Sequence, residues 1–319
     1  MLYYIIIREL FYLGYAKISF FKEIYTMRKL LCIINPMAGK KQPRGPIYDA
    51  LSVLSQAGYL IKIHNTTERN DATQTVLREG KHYDLVICSG GDGTLNETIN
   101  GMLQLEDPPL LGYLPRGSTN DFASSLHISS NPVKAALAIA EHHKQTMDVG
   151  LWNDRNFAYV ASFGAFTKTS YNVSQAAKNA LGHFAYILES MKDIGSLRPY
   201  KVKINADGDV LDGDYLFGAV CNTTSIGGLM KFDPDHVVLN DGRFEMLLVP
   251  NPKTPLGLQN LLFALMNQHY HDEGIVYRHI SHVVLETEED LPWSLDGEYA
   301  PSMPRVELSV LHEALTMLL

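Results

Sequence analysis

The chain has 319 residues, 46% of them hydrophobic and 19% charged, which supplies two ordinary globular cores at about 100 to 200 residues per domain. Its 27 Lys and Arg against 35 Asp and Glu leave a net charge of −8, the wrong sign for a duplex nucleic-acid binder, so no nucleic-acid partner is expected and any anionic ligand needs a local site. Cys32, Cys88 and Cys221 form no short metal spacing, cannot all pair, and each sits in an apolar run, which fits a reducing cytoplasm best.

Residues 1–26 are rich in Tyr and Phe, but Arg8, Glu9, Lys17, Lys22 and Glu23 interrupt them, whereas a membrane span needs about 20 apolar residues in a row. They read as an extension, either an upstream start or a weakly ordered tail with Met27 as the natural start, or as an aromatic element that touches membrane. From Lys29 the pattern alternates: strand Leu30 to Asn35, helix through Ile47, Leu51, Leu54 and Ala57, strand Tyr59 to His64, and helix Asp71 to Arg78. Strand Leu85 to Cys88, helix Leu95 to Leu103, strand Leu110 to Leu114 and helix Val133 to His142 follow, leading to the strand around Asp148. Such alternation predicts a three-layer α/β domain with a parallel sheet over 27–149, whose ligands bind at the carboxyl ends of the strands.

After about Gly150 the pattern changes to short β-like segments at Phe157 to Ser162, Lys201 to Ile204, Tyr215 to Cys221, Phe244 to Val249, His282 to Glu286 and Arg305 to Leu311. Asp207-Gly208, Asp212-Gly213 and Asp241-Gly242 read as the turns between them, and helical patterns interrupt at Gln175 to Met191 and Leu256 to Met266. This predicts an antiparallel β-sandwich over 150–308.

The loops of the first half carry the chemistry. Gly90-Gly91-Asp92-Gly93-Thr94 lies between a strand and a helix, where three glycines let backbone amides approach phosphate, the helix adds its positive end and Thr94 adds a hydroxyl. A plain strand-to-helix turn accounts for two of the glycines but not for a carboxylate among them. The loop is neither the dinucleotide fingerprint, since position 96 is Asn, nor a P-loop. Asn35-Pro36-Met37-Ala38-Gly39-Lys40, with Lys41 and Arg44, reads alone as either a solvated basic turn or part of a phosphate site. Pro115 to Ala123 is either a helix N-cap or a third ligand loop; in this topology it brings Asp121 to the edge that holds Asp92, and Asp148 closes the next strand, so three carboxylates converge as Mg²⁺ requires. Leu295-Asp296-Gly297-Glu298 is a β-turn or a carboxylate pair facing an alcohol, and Asn240-Asp241-Gly242 a hairpin turn, slightly favoured, or a structural cation loop. The histidines show no zinc spacing.

Taken in this order from Met27 to Leu319, these motifs resemble the diacylglycerol kinase catalytic family, which also contains sphingosine and ceramide kinases, and in particular its compact bacterial members. The resemblance implies an ATP site of Asn35, Pro36, Met37, Ala38, Gly39, Thr66, Gly90, Gly91, Asp92, Gly93, Thr94, Leu95, Asn96 and Ser118. It also implies a catalytic Mg²⁺ network of Asp92, Asp121 and Asp148, a base at Asp296 or Glu298, and a structural Mg²⁺ at Asp241 with carbonyls of Val238 and Arg243. In that architecture residues from about 309 to 319 rejoin the first domain. Ser118 stands where the family usually has Thr, which keeps the hydroxyl, and Ser124 where a basic residue is common, which puts nucleotide affinity in question. The expected activity is ATP-dependent phosphorylation of a lipid hydroxyl, most simply of diacylglycerol to phosphatidic acid, by a cytoplasmic protein in peripheral contact with the membrane, with a homodimer left open. A kinase of a soluble nucleotide such as NAD and an inactive lipid or nucleotide sensor are the rival readings.

Overall fold

In the computed structural model of the chain, residues 27–38, 45–117, 120–164, 198–226, 230–232, 237–266, 269–270 and 274–319 are described. The first half builds β1 (Arg28–Ile34), α1 (Gly45–Gln56), β2 (Tyr59–Asn65), α2 (Asp71–Glu79), β3 (Leu85–Gly90), α3 (Asp92–Met102), β4 (Leu110–Pro115), α4 (Asp121–Ser125), α5 (Pro132–Glu141) and β5 (Lys144–Trp152). Strands β1 and β3 are apolar along nearly their whole length and buried on both faces, which is what a parallel sheet between helices demands. Their order is β2-β1-β3-β4, all parallel. Helix boundaries follow capping chemistry: Asn131 accepts from the Val133 and Lys134 amides (2.9 and 3.3 Å) ahead of Pro132, and Glu97 accepts from the Asn70 amide (2.8 Å) to close the start of α2.

The second half contains β6 (Arg155–Phe157), β7 (Val160–Gly164), β8 (Tyr200–Ala206), β9 (Asp209–Cys221), a small hairpin of β10 (Ser225–Ile226) and β11 (Met230–Lys231), β12 (Phe244–Pro250), α6 (Pro255–Met266), β13 (Val276–Ile280), β14 (His282–Glu286), β15 (Trp293–Leu295), β16 (Glu298–Ala300) and β17 (Arg305–Leu318). Its pairings are antiparallel. The fold is α/β, with a parallel N-terminal sheet and an antiparallel, sandwich-like C-terminal part. β17 belongs to both: it pairs with β14 and β5 in antiparallel fashion, and its end lies beside β4 in parallel, Met317 opposite Leu111.

One apolar cluster runs across the two lobes, from Leu31, Val86 and Phe122 to Tyr159, Leu216 and Leu247. A second fills the sandwich around Trp152, Phe163 and Trp293, and a third lies under α1 and α5. The turn signal at Asp212-Gly213 is not used. β9 runs straight through it, with Asp212 opposite Lys203 and Gly213 opposite Val202, because the Asp207-Gly208 turn, with both residues at positive φ, has already reversed the chain. The segment expected from Phe157 to Ser162 splits into β6 and β7 at Ala158 and Tyr159. The helical pattern from Gln175 to Met191 lies outside the described residues.

Candidate active site

Three loops at the carboxyl edge of the parallel sheet hold one another. Asn35 Nδ2 donates to Thr94 Oγ1 (2.9 Å), and Asn35 Oδ1 accepts from the Met37 amide (2.9 Å), which folds Pro36 to Ala38 into a turn. The Thr66 amide donates to the Ile34 carbonyl (2.9 Å), placing Thr66 beside Asn35. The Arg116 amide donates to the Gly90 carbonyl (2.7 Å). Beyond it the backbones nearly touch, since a Cβ on Gly117 would lie 2.7 Å from the Gly91 Cα. Gly90 is equally confined, a Cβ there meeting Thr94 at 2.6 Å, whereas Gly93 faces open space. Packing thus requires two of the three glycines, and the third leaves the first turn of α3 uncovered, where unpaired amides and the helix dipole favour an anion. Leu95 lies in the core beneath, and Arg116 is only 6% exposed at this edge. Gly39 and Ser118, with Lys40, Lys41 and Arg44, lie outside the described residues.

Asp92 begins α3. Burial raises its carboxyl pKa against the opposing pull of the Asp121, Phe122 and Asn120 amides at the start of α4, and Oδ1 is buried with no hydrogen-bond partner. A water-excluded anionic oxygen without a donor is costly alone and is met by a hard cation, so Asp92, with the buried Asp121 beside it, fits a magnesium ion. Tyr159, which composition did not single out, lies between the groups: burial pushes its hydroxyl far up, and the charges of Asp92, Asp296 and Asp121 push it further, so it stays protonated.

Asp148 does not join them. It is fully buried, and its carboxylate accepts from the Gly242 amide (2.7 Å), the Glu313 amide (2.7 Å) and His312 Nδ1 (3.0 Å). It fastens the Asn240 to Gly242 turn and β17 to the first lobe. In that turn Asp241 Oδ1 accepts from the Arg243 amide (2.9 Å), Gly242 has φ 76°, and Val238 is exposed. Among the described residues no group of three or more His, Cys, Asp or Glu side chains is placed to hold a metal ion.

In the second half, Asp296 and Gly297 form the two-residue turn of the β15–β16 hairpin, at φ 49° and 84°, with Leu295 opposite Glu298. The Asp296 side chain points inward, 5% exposed. It accepts from the Ala158 (2.5 Å), Tyr159 (3.0 Å) and Val160 (2.9 Å) amides, the reason the strand breaks there, and from Asn96 Nδ2 on α3. Burial raises its pKa to about 6 even against these four donors. Glu298 lies at the rim, paired with Arg69 (2.9 Å). The structure therefore brings the glycine loop, Asp92, Asp121, Tyr159 and Asp296 together and leaves Asp148 and Asp241 behind them. Asn96, placed with the nucleotide by resemblance, spends its side-chain amide on Asp296, and Asn100 donates to Asn96 Oδ1 (2.7 Å). The i, i+4 spacing of two asparagines on one helix was the available signal for that pair.

The profile of the diacylglycerol kinase catalytic domain matches residues 29–152, and that of the YegS C-terminal NAD kinase beta sandwich-like domain matches residues 160–319. A diacylglycerol kinase of Bacillus subtilis (strain 168) is 35% identical over 283 residues, 87% of this chain and 92% of its own length. One of Staphylococcus aureus (strain bovine RF122 / ET3-1) is 33% identical over 280 residues, 87% of this chain and 89% of its own. A solved diacylglycerol kinase from Bacillus anthracis str. Sterne superimposes with a TM-score of 0.71 at 26% identity, covering 92% of this chain and 97% of that one.

Proposed function

Since the chain belongs to the diacylglycerol kinase catalytic family, and is thereby a kinase, we propose that it transfers the γ-phosphoryl group of ATP to the hydroxyl of a membrane lipid, diacylglycerol first, giving phosphatidic acid and ADP. The observation that carries this reading is the buried Asp296 carboxylate of one lobe set against α3 of the other, whose first turn is open at Gly93 and would cradle phosphate. Asn35, Thr66, Thr94 and the Gly90 to Gly93 amides would hold the nucleotide. Asp92 and Asp121 would hold the magnesium ion, which when bound balances charge on the triphosphate. The substrate hydroxyl gives its proton to Asp296 while its oxygen bonds to the γ-phosphorus and the bond to the β-phosphate oxygen breaks. With a pKa of about 6, Asp296 is mostly ionised near neutrality yet basic enough to take that proton. Tyr159, held neutral, donates toward the charge that gathers there.

No helix among the described residues is long and apolar enough to cross a membrane, so the lipid would be met at the surface. Helix α6 supports peripheral contact: it carries no charged residue and exposes Leu256 and Phe263, seven positions apart on one face. The match of the second half to an NAD kinase-like sandwich gives the soluble-nucleotide reading its support. Both are tested by incubating the protein with labelled ATP, mixed detergent micelles of diacylglycerol, and NAD, followed by solvent extraction. Label is expected in the organic phase as phosphatidic acid, and label left in the water as a phosphorylated dinucleotide overturns the lipid reading. Asp296→Asn should lose at least about a thousandfold in kcat with ATP affinity kept; full turnover in that variant removes Asp296 as the base.

A further inference from the structure

We infer that Asn100, acting through Asn96, positions the Asp296 carboxylate and sets how readily it yields an acceptor site to the substrate, an inference that rests on the lipid-kinase reading above. An ionised carboxylate has about four acceptor positions, and here each oxygen has two donors: Oδ1 takes the Tyr159 and Val160 amides, and Oδ2 the Ala158 amide and Asn96 Nδ2. An incoming hydroxyl must displace one of them. The three amides are fixed by the backbone between β6 and β7, whereas the Asn96 amide is a side chain that can rotate away, so the hydroxyl takes its place on Oδ2. A primary amide serves this role only with its NH₂ facing the carboxylate; turned over, its carbonyl would repel it. Asn100 Nδ2, donating to Asn96 Oδ1 at 2.7 Å from the next turn of α3, selects the useful orientation. The backbone carbonyl of Asn100 accepts from Gln104 Nε2 just past the end of α3 (2.8 Å).

Among the described residues, the charged and titratable groups around Asp296 are Tyr159 beside β7, on which Asp92 of α3, Asp121 of α4 and Asp296 all act, and Glu298 of the same hairpin with its partner Arg69 from the loop before α2. The Asn100 side chain donates to Asn96, so a change at 100 reaches Asp296 through Asn96.

The test compares Asn100→Ala with the nearly isosteric Asn100→Asp. A residue with only a packing role tolerates the isostere better. In the relay the order is reversed: a carboxylate at 100 attracts the Asn96 NH₂ and turns its carbonyl toward Asp296. The acid limb of kcat/KM for lipid should move up by about half to one pH unit in Asn100→Ala, the worth of one hydrogen bond, and further in Asn100→Asp. Near pH 6 this gives roughly two- to fivefold and larger losses respectively, with KM for ATP unchanged. An unmoved acid limb, or an Asn100→Asp variant milder than Asn100→Ala, overturns the relay. Should Asn100→Ala lose the fold by circular dichroism, Asn100→Asp against the parent decides alone. The reading beneath is judged separately by Asp296→Asn: if that variant is inactive while both Asn100 variants keep the parental acid limb, only the relay fails.

Discussion

Among the described residues, two acidic side chains in the second lobe are buried, and their surroundings separate their roles. Asp296 has four donors, one of them from α3 of the other lobe, while Glu245, 2% exposed on β12, has an unpartnered Oε2 and His279 Nδ1 3.7 Å from its other oxygen. Burial raises the Glu245 carboxyl pKa from 4.5 to about 8. The folded state therefore binds a proton that the unfolded chain releases between those values, and stability falls as pH rises through that window. Glu245→Gln removes this dependence: its stability should match the parent near pH 4.5 and exceed it increasingly up to pH 8, by an amount on the order of a few kcal/mol, with the thermal midpoint rising accordingly. Calorimetry at several pH values checks this, and a constant offset between the two proteins would refute it. At this scale the sequence displayed residue types and loop positions, so Asp92, Asp121 and Asp296 were legible from glycine and turn context. What it could not display was which acceptors were already taken. Asp148 reads in the sequence as closing a strand, but it lies in the middle of β5, and only the packed fold shows its oxygens committed to Gly242, His312 and Glu313.

Among the elements, alternating strands and helices were readable because each parallel strand is a continuous apolar run, and α3 was readable from its glycine-rich start. The break between β6 and β7 was not, since Phe157 to Val160 is as apolar as its neighbours and its amides are turned aside by a carboxylate more than 130 positions away. β17 is longer than the pattern suggested because His312 and Glu313 look like an ending, yet they occupy an irregular register that the strand passes through. Helix α6 carries the membrane prediction. Phe263 is 62% exposed there, and an exposed ring in an uncharged helix contributes to interfacial binding through its apolar area. Phe263→Lys should weaken co-sedimentation with neutral phosphatidylcholine vesicles containing diacylglycerol by about tenfold, while activity on a short-chain soluble diacylglycerol stays near parental. Equal sedimentation of both proteins would remove α6 as the contact.

The whole molecule is two lobes with shared contents. An apolar cluster spans both, Asp296 takes a donor from α3, and β17 contributes to both sheets. Heating should accordingly give one calorimetric transition, whose midpoint rises as a unit with ATP and magnesium; two resolved transitions, with only one moved by nucleotide, would show that the lobes fold independently. β17 changes character at one place, between Leu311 and Leu315, where its pairing with β5 slips and Glu313 adopts φ 48°. That kink is where the strand leaves the sandwich for the parallel sheet, and the Asp148 carboxylate clasps it through two donors. A substitution at Asp148 would therefore loosen β17 at the one point where both sheets depend on it.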